Sequence, residues 1–113
     1  PRADPSVGEI HFNRIAGNDA IMAAVNTAHC LEYAPSISAD GLELFFTRLD
    51  LCPVSSEILV STRATTAEPF GEPARIGSIT GFVEAPSLSA DGKTLYYHVM
   101  DGVVYTIYRV TRP

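Results

Sequence analysis

The sequence is poor in positive charge and in long apolar runs, and each shortage excludes a class of protein. Its formal net charge is −5 and its lysines and arginines form no cluster, which argues against a protein that binds nucleic acid. No run of roughly 18 apolar residues is present, so the sequence predicts no membrane-spanning helix. The 113 residues suffice for one small domain, and a chain that starts at Pro1 is predicted to be processed, tagged or excerpted.

The signatures of common catalytic and metal sites are also missing. The three histidines, His11, His29 and His98, show neither an HxH nor an HExxH spacing. No serine lies in a GxSxG motif, and neither cysteine lies in a CxxC motif. The sequence therefore predicts no catalytic residue, no metal site and no cofactor.

What the sequence does contain is a repeated octapeptide. Residues 34–41 read APSISADG, and residues 85–92, 51 positions later, read APSLSADG. Each copy is followed by an apolar and aromatic run, LELFFT in the first and KTLYYH in the second. Self-similarity at this spacing is typical of stacked supersecondary units. The Asp-Gly pairs predict structural turns in two hairpins, in which the aspartate side chain caps the backbone, at Asp40, Gly41, Asp91 and Gly92.

The pattern of apolar and β-branched residues predicts an all-β chain. Predicted strands lie at residues 9–15, 34–38, 42–49, 57–63, 74–79, 84–89, 93–100 and 104–112. Residues 20–27 are rich in alanine and allow a helix as an alternative. Aligning the two repeats matches residues 23–25 with residues 74–76, however, and this favours the same element, a short strand, in both places.

The octapeptide, followed two residues later by L-[FY]-[FY], resembles the WD40-like (PD40) repeats of the TolB-type β-propeller family. The segment TTAEPFGEPARIGS is similar to a bacterial version of these repeats, and the resemblance covers about residues 23–112. It implies about two four-stranded antiparallel blades of a β-propeller, and it suggests a periplasmic or secreted protein. The implied organisation is a linker at 1–8, a partial blade at 9–28, a blade at 29–80 and a partial blade at 81–113.

Two blades are fewer than the four to eight of a closed propeller, and they leave apolar faces uncovered. We therefore expect either a part of a longer propeller chain or a homo-oligomer, in which three copies give about six blades. The aromatic residues after each turn, Phe45, Phe46, Tyr96 and Tyr97, with Tyr105 and Tyr108 near the end of the chain, are expected mainly in the core between blades. A sugar-stacking surface is the alternative.

Blade topology places the Asp-Gly turns on one rim and the other connections on the opposite rim. That second rim carries the candidate binding residues Glu32, Glu84, His29, Asp50 and Asp101, together with Cys30 and Cys52. Glu32 and Glu84 precede the two matching prolines and are expected at the channel mouth, where the favoured role is to accept hydrogen bonds from backbone N–H groups at the start of the strand. Binding of a divalent cation or a basic peptide group is the other role that the sequence allows. Cys30 and Cys52 are expected to form a disulfide or to remain buried thiols.

These observations favour a non-enzymatic repeat module that binds a protein or a small ligand at this rim. A blade pair of a propeller enzyme, lyase-like or peptidase-associated, with metal and histidine chemistry at His29 is the second hypothesis. A structural fragment without independent activity is the third.

Overall fold

The computed structural model describes Ile10, residues 18–51 and residues 53–113, and these residues form two antiparallel sheets. A four-residue helix, α1 (Asn18–Ile21), precedes them. The strands are β1 (Leu31–Ile37), β2 (Glu43–Leu51), β3 (Val54–Thr62), β4 (Ala74–Arg75), β5 (Phe82–Leu88), β6 (Thr94–Asp101) and β7 (Val104–Thr111). The first sheet has the order β1-β2-β3-β4 and the second the order β5-β6-β7. The predicted all-β class is therefore confirmed.

The strand count differs from that of two four-stranded blades. The described residues form one sheet of four strands and one of three, which does not fit two complete four-stranded units, and the three-stranded sheet lies within residues 81–113, where a partial blade is predicted. The predicted strand at residues 74–79 shortens to β4, because the chain turns at residues 77–78. Apart from Ile10, the predicted linker at 1–8 and strand at 9–15 lie outside the described residues.

The predicted strand at residues 23–25 is also wrong. The chain there continues from α1 into a turn, in which the N–H groups of Val25 and Asn26 both donate to the carbonyl of Met22. Met22 and Val25 lie three residues apart, so a helical turn directs both toward the first sheet, whereas a strand would direct them to opposite sides. Among the described residues, no helix has the length and apolar character needed to cross a membrane.

Both units of the repeat share an unusual first strand. A β-bulge lies between residues 33 and 36 in β1 and between residues 84 and 87 in β5. At each bulge the alanine before the proline has a positive φ, 52° at Ala34 and 58° at Ala85. The left-handed region is unfavourable for alanine, and it is disfavoured further in a residue that precedes proline. The same strained conformation in both units therefore indicates that they share one supersecondary structure.

The core has two layers, one on each face of the first sheet. On one face, Ile10, Met22, Val25 and Phe70 cover side chains of β2 and β3. The other face packs against the second sheet through buried residues of both sheets and of the connection between them: Phe45, Ile58, Ile79, Val83, Leu95 and Tyr97. The first sheet is therefore covered on both sides, and it supports the second.

The edge strand β5 is tied to the first sheet by three hydrogen bonds from its backbone. The N–H groups of Val83, Ala85 and Leu88 donate to side-chain hydroxyls on β3, β2 and β1, which belong to Ser56 (2.7 Å), Thr47 (3.0 Å) and Ser36 (3.0 Å). β5 therefore crosses all three strands, and these donors are not left unpaired at a sheet edge.

Replacing Thr47 with valine tests this junction. Thr47 is fully buried, and the change keeps its shape but leaves the Ala85 N–H without an acceptor, which costs about 1–3 kcal/mol of unfolding free energy. Urea denaturation of the variant measures this loss. Thr62→Val, at an exposed position of β3, is the control and should change stability by less than about 0.5 kcal/mol. Equal effects of the two substitutions would contradict the assigned role.

Candidate functional site

The five predicted binding residues differ widely in exposure. His29 and Asp101 are exposed, Asp50 and Glu84 are half-buried, and Glu32 is fully buried. Within the described residues, no group of three or more His, Cys, Asp or Glu side chains is arranged to hold a metal ion. Cys52 lies outside the described residues, and so does the predicted disulfide with Cys30.

Glu32 is a structural anchor. Its carboxylate accepts hydrogen bonds from the N–H and the hydroxyl of Thr27, both at 2.8 Å, and from Nε of Arg48 at 3.1 Å. Arg48 also donates to the carbonyl of Val25 at 2.7 Å. These contacts fasten the segment before β1 to β2, and they turn the Glu32 carboxylate inward.

Glu84 occupies a different place in the repeat from Glu32. Glu32 lies three positions before Pro35, whereas Glu84 lies two positions before Pro86, so the residue that corresponds to Glu84 is Tyr33. These two corresponding residues touch each other, because the Tyr33 hydroxyl donates to Oε2 of Glu84 at 2.6 Å. The bond joins β1 and β5, each of which is an edge strand of its own sheet.

Two further side chains complete what we call the Glu84 cluster: Tyr33, Glu84, His98 and Tyr105. Nε2 of His98 lies 3.8 Å from Oε1 of Glu84, and the His98 ring meets Tyr105 edge-on with centroids 4.9 Å apart. The Glu84 side chain is 20% exposed and that of His98 is 33% exposed. The cluster therefore presents a positioned carboxylate to solvent beside aromatic rings.

The surroundings of Tyr33 keep its phenol protonated. Burial raises the pKa of Tyr33 well above its ordinary value, and the hydrogen bond to Glu84 and the negative charge of Glu84 raise it further. Tyr33 therefore remains a donor throughout the physiological pH range and holds the Glu84 carboxylate in one orientation.

The aspartates of the repeated Asp-Gly pairs hold their own turns. In each unit, Oδ1 accepts from a serine hydroxyl two residues earlier and from a backbone N–H two residues later. The first turn joins Asp40 to Ser38 at 2.7 Å and to Leu42 at 3.0 Å, and the second joins Asp91 to Ser89 at 2.6 Å and to Lys93 at 3.0 Å. Gly41 and Gly92 follow with φ of 76° and 73°, a conformation that glycine adopts without steric cost. Both carboxylates are thus engaged within their turns.

No described residue covers one side of the second sheet, its outer face, which is defined by Glu84, Ser87, Tyr96, His98, Tyr105, Ile107 and Arg109. Their neighbours along the strands, Val83, Leu95, Tyr97 and Val110, pack toward the first sheet, so strand alternation turns the outer-face side chains away from it. Tyr96, Tyr105 and Ile107 are exposed, and the Glu84 cluster forms part of this face.

The repeat relates the outer face to a surface that is covered. Thr47 pairs with Ile58 in the first sheet, and His98, 51 positions after Thr47, pairs with Ile107, so the two isoleucines correspond. Ile58 is 1% exposed beneath the second sheet, whereas Ile107 is 77% exposed. Phe45 and its counterpart Tyr96 differ in the same way, at 5% and 42%. The outer face thus corresponds to the surface of the first sheet that packs against the second sheet, but no described residue covers it.

Sequence reasoning did not single out Tyr33, Ile107 or Arg109. The 51-residue spacing between Tyr33 and Glu84 was a usable signal, since corresponding residues of adjacent repeats tend to be neighbours. The expectation of a mainly buried aromatic set is correct for Phe45, Phe46 and Tyr97, but Tyr96, Tyr105 and Tyr108 are exposed.

No protein-family model matches the chain, and no curated protein matches it either.

The aspartates of the two Asp-Gly turns, Asp40 and Asp91, are expected to make the stability of the protein sensitive to acid. The serine hydrogen bond, and then the backbone N–H, hold the pKa of Asp40 and of Asp91 below its usual value. Their stabilising contribution is therefore complete above the unfolded value of about 3.9, and it is lost as pH falls below it. Asp40→Asn/Asp91→Asn should reduce the fall in Tm between pH 5 and pH 2.5, followed by circular dichroism. An undiminished fall in the double variant would contradict this role.

Tyrosine-selective NMR titration tests the Tyr33–Glu84 contact. At about pH 11, an ordinary tyrosine with a pKa near 10 is largely ionised, whereas Tyr33 should remain protonated. Glu84→Gln removes the negative charge and should lower the Tyr33 pKa. Tyr33→Phe assigns the signal, and ionisation of Tyr33 with a midpoint near 10 in the unaltered protein would rule the contact out.

Proposed function

We propose that the chain is a non-enzymatic binding module, built from units of a PD40-like propeller repeat, that binds a protein partner through a basic side chain at the Glu84 cluster. The observation that carries this proposal is a solvent-accessible carboxylate, held in one orientation by Tyr33 and flanked by His98 and Tyr105.

The chemistry of the cluster suits a guanidinium or ammonium group. A carboxylate forms charge-assisted hydrogen bonds with such a group, and the exposed ring of Tyr105 offers a face on which a planar guanidinium stacks. Tyr33 occupies one side of the carboxylate, which leaves the exposed side for a ligand. The chain as a whole is acidic, which also favours a cationic partner.

The packing of the sheets supports the repeat assignment within this proposal. Two units with the same turn, the same bulge and the same left-handed alanine lie side by side, with the inner strand of one crossing the face of the other. This is the relation that neighbouring blades have in a propeller, and we propose that the two sheets are two such blades.

Titration with arginine amide tests the proposed binding. We expect concentration-dependent chemical-shift changes at His98 and Tyr105, and much smaller changes with citrulline amide, which has the same shape and the same α-amino group but no guanidinium charge. The affinity is expected to be weak, because an exposed ion pair contributes about 0–1 kcal/mol.

Two variants locate the binding group. Glu84→Gln should abolish the shifts, whereas Asp101→Asn, which removes an exposed carboxylate at the end of β6, should preserve them. Equal responses to arginine amide and citrulline amide, or loss of binding in Asp101→Asn alone, would show that Glu84 is not the binding group.

A further inference from the structure

The outer face of the second sheet contains a cation, Arg109, that has no partner in the part of the chain that the structure describes. Arg109 on β7 pairs in register with Tyr96 and is exposed, and its guanidinium makes no hydrogen bond or ion pair with any described residue. On the same face, Glu84 on β5 keeps an accessible carboxylate. The face therefore carries one charge of each sign on its two outer strands, with Tyr96, Ile107 and Tyr105 between or beside them.

A head-to-tail contact between copies is obstructed in the chain itself. Leu95 and Tyr97, which pack the second sheet against the first, correspond to Leu44 and Phe46 in the repeat. In the first sheet those two are already covered by Met22 and Val25 of the same chain. A second copy therefore binds the outer face with its own outer face, and not with the face of its first sheet that carries Leu44 and Phe46.

We propose that the outer face of the second sheet binds the outer face of a second copy about a two-fold axis, and that Arg109 of each copy is the basic side chain bound by Glu84 of the other. This inference rests on the proposed function, because it names the partner of the Glu84 cluster. The contact is isologous, so each copy contributes the same surface and the assembly closes at two.

The register of the strands fits this symmetry. A two-fold axis parallel to the central strand β6 exchanges the positions of β5 and β7, so that Glu84 of one copy faces β7 of the other. Glu84 is level with His98 and Ile107, and Arg109 lies two residues, about 7 Å, further along β7. The long arginine side chain spans this offset, and the two ion pairs lie on either side of a centre formed by Tyr96 and His98 of β6, while Ile107 lies opposite β5 of the other copy.

The size of the face sets the expected affinity. Three strands about 4.8 Å apart, each about eight residues long at 3.3 Å per residue, give a footprint of roughly 400 Å² per copy. This is about half of what each partner contributes to a standard interface. We therefore expect a dimer whose Kd lies in the micromolar range.

Light scattering across concentration tests the dimer. Between about 10 μM and about 1 mM, a range that brackets such a Kd, the mass should rise from 12.2 kDa toward twice that value. Ile107→Asp should remain monomeric, and it should fold, because Ile107 is 77% exposed in the single copy. Lys93→Glu, which changes an exposed cation outside the outer face, should dimerise like the unaltered protein.

A charge exchange tests the ion pair itself. Glu84→Arg and Arg109→Glu should each weaken association at least tenfold, and the double variant should restore it. Circular dichroism confirms that each variant is folded; if Glu84→Arg does not fold, Arg109→Glu and Ile107→Asp alone decide. A mass that stays at one copy, a mass that exceeds two copies, or association unaffected by Ile107→Asp would each overturn the proposal.

The two proposals fail separately. Monomeric Ile107→Asp retains the Glu84 cluster but adds a carboxylate opposite His98, so its binding of arginine amide counts only where adding Glu84→Gln abolishes it. Such Glu84-dependent binding is expected if the proposed function holds, even when no dimer forms in the unaltered protein. If the unaltered protein dimerises but monomeric Ile107→Asp does not bind arginine amide, the dimer stands without the Glu84 contact.

Discussion

A strand at the edge of a sheet must satisfy its outward backbone groups, and this protein meets that requirement across two sheets. The N–H groups of β5 donate to hydroxyls on three strands of the first sheet, so β5 is an edge only within its own sheet. The apolar layer that contains Phe45, Ile58 and Leu95 closes around these bonds. Because the buried apolar face of the second sheet packs against the first sheet, the second sheet depends on this junction for its stability.

The same arrangement explains why the binding surface lies where it does. A unit that packs through one face leaves its other face for something else, and in the first sheet Met22 and Val25 provide that cover. The second sheet has no equivalent among the described residues, and its outer face keeps Ile107 and Tyr96 exposed. The Glu84 cluster borders this surface because Tyr33 reaches across from the first sheet. The first sheet is thus covered on both faces and the second, among the described residues, on one. This difference both stabilises the fold and leaves the candidate site accessible.

Much of this architecture could be predicted from the sequence, and the failures have identifiable causes. Asp-Gly pairs between apolar runs specify hairpins locally, and the hairpins are present. The different roles of Glu32 and Glu84 could be read from the sequence, because Glu32 lies three positions and Glu84 two positions before its proline, and a shift of one residue moves a side chain to the opposite face. The exposure of Ile107 could not be read in this way, because its counterpart Ile58 is the same residue in a similar strand. Exposure there depends on which sheets meet, and a strand pattern does not contain that information.

The left-handed alanines have a consequence for how the strands find their partners. A bulge next to a proline disfavours other alignments of β1 with β2, and of β5 with β6, whenever sliding the strand places Pro35 or Pro86 where the ladder requires a donor. Two nearly identical hairpins in one chain could otherwise slip or exchange partners during folding. The strain at Ala34 and Ala85 therefore accompanies protection against misaligned, aggregation-prone intermediates.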